Sequence, residues 1–198
     1  MKTRLAPWLI AGLCMSLLTA CSKTVTWEEE VPLNTGEVIW VERSVDYSIQ
    51  GDAGNPMDLA LRPGKEQTLA FEWKGMKYRY QGDACLQVLA VHGGAPVLIS
   101  RSGCSGWAWT HKYEKCESYV QLNPTSATEW IWPSSPENWV YGLRTNLVVD
   151  FSYRDRLRGK VTTALRSSYE TKDPRGSFLT KVERSSDEMI NQCKERMK

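Results

Sequence analysis

The residues with most chemistry in them are the cysteines, of which the sequence has six: Cys14, Cys21, Cys85, Cys104, Cys116 and Cys193. Cys104 stands in Arg101-Ser102-Gly103-Cys104-Ser105, downstream of His92-Gly93. A thiol attacks only as its thiolate, so a nucleophilic Cys104 needs a base to take its proton and a group to hold the charge. The chain has two histidines, His92 and His111. His92 falls on a glycine turn and His111 in a polar stretch, and neither has a defined orienting partner.

His92-Gly93 followed by Gly103-Cys104 resembles, in part, the L,D-transpeptidases, cell-wall cross-linking enzymes. Their motif is a His, a spacer of over a dozen residues, then Ser/Thr-His-Gly-Cys with Arg or Asn soon after. The resemblance implies a Cys104 nucleophile, but Ser102 stands where the second His belongs. The spacer is also short, and no Arg or Asn follows closely. Gly103-Cys104-Ser105-Gly106-Trp107 is similar to papain-type sequences only loosely, with the order wrong and no downstream His at a suitable distance. The expectation is a cysteine held in a disulfide and no catalytic residue in the chain.

Metal and cofactor chemistry finds little support. Two histidines exclude a His-rich site. Asp52, Asn55 and Asp58 could offer oxygens to calcium, but not at the spacing of an EF-hand loop. Asx and Gly residues in a turn explain themselves. No phosphate-cradling glycine motif is present. The expectation is no metal and no cofactor.

The aromatic residues are more suggestive. Trp107-Ala108-Trp109 and Trp130-Ile131-Trp132 each place two indoles on one side of any strand, and Trp139 and Tyr141 follow. Left exposed, Trp107, Trp109, Trp130 and Trp132 form a platform for sugars or extended peptides. Turned inward, they fill the core of a small β domain. Both readings stay open.

The N-terminus sets the address. Lys2 and Arg4 precede an apolar run from Leu5 to Leu18, broken by Pro7, Gly12 and Ser16. That run falls short of the roughly 20 residues that span a bilayer and has the build of a secretory leader. Leu18-Thr19-Ala20-Cys21 resembles the lipobox of bacterial lipoproteins. The resemblance implies cleavage before Cys21, a diacylglycerol thioether on its sulfur and an acyl chain on its new amine. Several chains hold a protein durably where one holds it reversibly. Asp after that cysteine is the inner-membrane retention signal in enteric bacteria, and here Ser22 follows. The resemblance therefore implies the periplasmic face of the outer membrane, if the cell has two membranes.

Without residues 1–20 the chain carries 23 basic and 23 acidic groups, a balance that argues against a nucleic-acid binder. Residues 21–143 are net acidic and 144–198 net basic, densest at Arg154, Arg156, Arg158 and Lys160. That stretch is either a strand edge guarded by cations or a contact for anionic lipid or wall polymer. With Cys14 cleaved away and Cys21 lipidated, four cysteines remain, which suggests two disulfides in an oxidising compartment. The hairpin Leu86–Val91 and Pro96–Ser100, turning at Gly93-Gly94, places Cys85 opposite Cys104 if Gly93 faces Pro96. Cys116 then pairs with Cys193. Cys104–Cys116, closing a short loop, is the rival.

The mature part suits one domain over 21–198. Val25, Trp27 and Val31 alternate with Thr24, Thr26, Glu28 and Glu30, and Asn34-Thr35-Gly36 supplies a turn. Glu37–Arg43 and Val45–Ile49 continue, then Gln50–Pro56 reads as a loop. Thr68–Trp73 and Met76–Gln81 flank Lys74-Gly75 as a hairpin. Glu117–Leu122, Glu129–Trp132, Asn146–Tyr153 and Val161–Arg166 are further strands. Residues 166–185 read as a connecting loop. Ser185 and Glu188 offer a capping box for a helix over 186–197, with Met189, Ile190, Cys193 and Met197 on one face. The pattern predicts a mainly β, antiparallel sandwich or barrel-like domain with one C-terminal helix. Trp27-Glu28-Glu29-Glu30-Val31 through Val38-Ile39-Trp40-Val41-Glu42-Arg43 resembles the opening of a group of proteobacterial exported proteins, a likeness that implies no function. The functional expectation is a non-catalytic envelope lipoprotein held to the membrane through Cys21. It would bind an envelope protein or peptidoglycan, with a cell-wall enzyme or an inhibitor or immunity-type lipoprotein as the alternatives.

Overall fold

The computed structural model describes residues 22–52, 55–101, 118–131, 136–148, 159–170, 181–184, 186–187, 190–191 and 195. Strict alternation builds the first strand, β1 (Ser22–Pro32): Val25, Trp27 and Val31 point inward and are buried. Gly36, at φ 88°, turns the chain into β2 (Val38–Asp52), whose residues 38–48 pair antiparallel with the whole of β1. The long β3 (Asn55–Trp73) returns beside β2. Lys74 and Gly75, both at positive φ, make the tight turn to β4 (Met76–Gly82). A short β9 (Gly159–Val161) lies parallel to β1 and closes a sheet of order β4-β3-β2-β1-β9.

The second sheet holds β5 (Cys85–His92), β6 (Ala95–Arg101), β7 (Tyr119–Pro124) and β8 (Trp130–Ile131) in that order. Val31, Val41, Leu69 and Phe71 of the first sheet pack on Leu86, Leu89, Leu98 and Leu122 of the second. The result is an open-edged β sandwich rather than a barrel. The second sheet is covered on its outer face too: Val88, Ala90, Val97 and Ile99 pack against Val140 and Val182. Five successive residues of β5 and of β6 are buried, as expected of strands covered on both faces.

Several expected elements are redrawn. The described residues of Gln50–Pro56 are strand, not loop: β2 runs to Asp52, β3 starts at Asn55, and the two residues pair. A register shift opposite Asp46 lets the hairpin continue, and Gly64 sits there with room for no side chain, since a Cβ would lie 2.8 Å from the Asp46 carbonyl oxygen. The strand expected over Val161–Arg166 ends at Val161, and α1 (Thr163–Glu170) begins. The loop expected over 166–185 thus opens as helix. Thr162 caps it, its hydroxyl accepting the Leu165 N–H at 3.1 Å in the manner of an N-cap threonine. Asn146–Val148 lies outside any strand, with a bend at Leu147, and the rest of the strand expected to Tyr153 lies outside the described residues. At the C-terminus Asp187, Ile190, Asn191 and Glu195 are helical, and Ile190 N–H donates to the Ser186 carbonyl. Ser185, Glu188, Met189, Cys193 and Met197 lie outside the described residues.

Candidate functional site

The inward face of β1 carries one charge. Glu29 shares the parity of Val25, Trp27 and Val31 and is fully buried. Its partner is Arg43 on β2, also fully buried, whose Nη1 donates to Glu29 Oε1 at 2.9 Å. The same nitrogen donates to the Val148 carbonyl at 2.9 Å, and Val148 N–H returns a bond to Glu29 Oε2 at 2.9 Å. Arg43 Nη2 donates to Gln67 Oε1 on β3, and Gln67 Nε2 donates on to the Ala84 carbonyl. The guanidinium also lies 5.3 Å from the Trp27 ring centroid. A buried ion pair persists only when its remaining lone pairs and protons are met, and this one is wired to three strands and the 145–148 segment. No solvent reaches it, so it holds structure rather than turning over substrate. The sequence signal was available: an acid and a base at inward positions of neighbouring strands.

A second constellation faces outward. A cleft of about 340 Å³ opens between the Pro32–Asn34 turn, β5, the Leu143–Asn146 segment and α1. Asn146 makes its floor. Its Oδ1 accepts the Leu89 N–H at 2.8 Å, and its Nδ2 donates to the carbonyls of Leu89 and Pro32 at 2.7 and 2.8 Å. Asn34 does the same one pair further on, bonding Val91 N–H at 2.7 Å and its carbonyl at 3.0 Å. Buried Arg166 reaches from α1 to the Asn146 carbonyl, and exposed Arg144 lines the cleft nearby. Among the described residues lining it, two are arginines and none is Asp, Glu, His, Cys or Ser. At α1's first turn the Glu30 carboxylate accepts the N–H of Thr163, itself part of the cleft lining, at 2.8 Å. That bond, one from the Thr163 side chain and the nearby Arg166 charge hold the Glu30 pKa below the ordinary 4.5. The described lining, with two arginines and no carboxylate, can hold an anionic polar group.

Of the residues singled out by sequence, Trp130 is half-buried. Its indole N–H donates to the Arg79 carbonyl at 2.8 Å, and its ring meets Tyr78 and Tyr80 at centroid distances of 6.3 and 6.4 Å. It fastens β8 to β4. Its neighbour Ile131 faces out. Trp139 stacks flat on His92, centroids 4.3 Å apart, and donates to Glu137. Tyr141 lies under the Arg184 guanidinium. Cys85 opens β5, half-buried and opposite Arg101. The hairpin register differs from the expected one because Val91 faces Pro96, so Cys85 does not align with position 104. Lys160 is on the edge strand β9, 3.5 Å from Glu28 and 4.9 Å from the Trp40 ring centroid. Asp52 and Asn55 pair through backbone at the end of the β2–β3 hairpin, and Asp58 follows within β3. Cys21, Cys104, Cys116, Cys193, Trp107, Trp109, Trp132, His111, Arg154, Arg156 and Arg158 lie outside the described residues. Among the described residues no helix is long and apolar enough to cross a membrane. Neither family models, curated proteins nor solved structures provide a match to the chain.

Proposed function

We propose that the chain is a lipid-anchored envelope protein, facing the periplasm from the outer membrane, that holds an anionic, peptide-like segment of the cell wall or of an envelope protein in the cleft over Asn146. The observation that carries this is the pairing of Arg144 and Arg166 on a cleft with no acidic residue among its described lining. Its size falls within the roughly 300–1,000 Å³ of small-ligand sites, and guanidinium groups match carboxylates in geometry as well as charge. The lipobox at Leu18–Cys21 supplies the address. The non-catalytic side of the reading is supported by His92. Its ring is stacked on Trp139 at the turn end of the β5–β6 hairpin. Arg101, the last described residue before position 104, is at the opposite end of β6, and a seven-residue strand spans roughly 20 Å.

Intact mass spectrometry of the membrane-extracted protein comes first, with and without reduction and alkylation. It should show an acylated Cys21 and four oxidised cysteines. Calorimetric titration with a muropeptide bearing a free terminal carboxylate should then show binding that its amidated analogue lacks. Arg144→Glu should weaken it by at least about tenfold, since a charge-assisted hydrogen bond contributes roughly 1.5–3 kcal/mol. Equal binding of both peptides, or of neither, would defeat the cleft reading. A thiol at Cys104 that alkylates in the folded protein would favour the enzyme instead.

A further inference from the structure

The inward face of the first sheet is longer than the core it covers. Along β2, Val45 and Tyr47 are buried, but Ile49, next on the same face, is 47% exposed. Across from it stands half-buried Leu61, and Leu59 beyond is 67% exposed. Past Ser48 neither β1 nor β4 flanks these strands, so among the described residues the end of the β2–β3 hairpin is a two-stranded ribbon with Ile49 and Leu59 on its inner face. Isolated exposed apolar residues need no explanation, but a contiguous set at the tip of a projecting hairpin does.

The occupant follows from where β1 begins. Ser22 pairs with Ser48, immediately before Ile49. Residue 21 is one peptide unit from Ser22, so its Cα lies about 3.8 Å from that of Ser22. The lipid-bearing position is therefore beside the apolar end of the hairpin, with exposed Lys23 next to it. We infer that Ile49 and Leu59, beyond Leu61 at the margin of the core, enter the surface of the bilayer that anchors Cys21, fixing the domain upright with the β3–β4 turn pointing away. The inference rests on lipidation of Cys21, the reading given above. Interfacial apolar side chains sit roughly 5–10 Å into the headgroup–acyl boundary. Lys23 is placed to meet anionic headgroups. Met76, 50% exposed, is an internal control. It faces Trp73 at the other end of β3, fourteen residues from Leu59, roughly 40 Å away at strand rise.

The test uses the full lipidated chain in vesicles of phosphatidylethanolamine and phosphatidylglycerol, with p-benzoylphenylalanine replacing Ile49, Leu59 or Met76 in turn. Photolysis should give at least about fivefold more lipid adduct from positions 49 and 59 than from 76, given that interfacial depth. In a second measurement, vesicles should slow amide exchange at residues 49–52 in the natural chain. They should not do so in the variant carrying Ile49→Ser and Leu59→Ser, which changes only exposed positions. Equal lipid labelling at all three positions, with Cys21 acylated by mass, overturns this inference and leaves the anchor standing. Photolysis in intact cells that joins position 59 to a protein instead of lipid overturns it as well. An unacylated Cys21 overturns the anchored reading and this inference with it.

Discussion

Glu29 and Arg43 sit where a hydrophobic pattern predicts Val or Leu, so each depends on the other for its solvation. Removing one partner strands the second charge in the core, at a cost of about 3–5 kcal/mol. Glu29→Gln keeps the shape and loses the charge; Arg43→Met keeps much of the stem. Each should lower the urea midpoint severely, while the variant carrying both changes should lose less than the sum. A coupling energy near zero in that double-mutant cycle would mean that the pair is not the unit described here. Glu30, one residue on, faces the other way and titrates. Its folded pKa lies below 4.5 because Thr163 donates to the ionised form, with Arg166 adding to the effect. A depressed carboxylate pKa gives stability that is whole above the unfolded value and fades as the pH falls through the folded one. The first turn of α1 should therefore loosen in acid below about pH 4.5. Glu30→Gln should remove that pH dependence, as read by amide exchange at Thr163–Leu165. The parity of Glu29 was readable in the sequence, from its place between Trp27 and Val31. The rest of the network was not, because Gln67, which bonds Arg43, and Val148, which bonds both, arrive from distant strands and segments.

At the level of elements, β5 is the edge strand of its sheet, and an open edge is a template for another chain. Here the edge is sealed by side chains and a crossing segment. Asn34 takes both backbone groups of Val91, Asn146 takes both of Leu89, and the Gln87 carbonyl accepts from the amides of Asn146 and Leu147. Each asparagine imitates a partner strand. Asn146→Leu leaves buried groups unmet at about 1–3 kcal/mol. It should also produce concentration-dependent self-association in sedimentation velocity. A variant that is destabilised but strictly monomeric would show that the edge is guarded by something else. Asn34 read in sequence as a turn former and Asn146 as the start of a strand, since an asparagine side chain that pairs like a strand leaves no periodic trace. α1 was misread for a related reason. Val161-Thr162-Thr163 is β-branched and continues a strand pattern, while the cap, Thr162, lacks a Glu or Gln three residues on to mark it. Thr162→Ala should cost about 1 kcal/mol, seen as fraying confined to α1. The places of the β3–β4 and β5–β6 hairpins were legible because Lys74-Gly75 and Gly93-Gly94 mark their turns, but the register of the second lies two residues from the expected one.

The molecule as a whole is layered unevenly, and its dynamics should follow. β6 is paired on both sides, by β5 and β7, and its residues from Pro96 to Ser100 are buried between the inner core and the 136–148 and 182 cover. Its amides can exchange only when the domain opens as a unit. The β2–β3 ribbon beyond Ser48 has one pairing and one solvated face, and a two-stranded ribbon is marginal by itself in water. Composition gave no hint of the difference. Val97-Leu98-Ile99 and the segment around Leu59 and Leu61 are comparably apolar in sequence, and only the third layer separates them. In hydrogen exchange of the detergent-solubilised protein, Leu98 and Ile99 should be the slowest amides, with an opening free energy equal to that of global unfolding. Amides at 49–52 and 59–61 should exchange at least about a hundredfold faster through local opening. Tip amides as slow as Leu98 in detergent would mean that the ribbon is held by contacts within the protein, and its apolar face would then have an occupant already. Fast exchange in detergent that slows on transfer to vesicles would instead tie the ordering of the ribbon to the membrane surface.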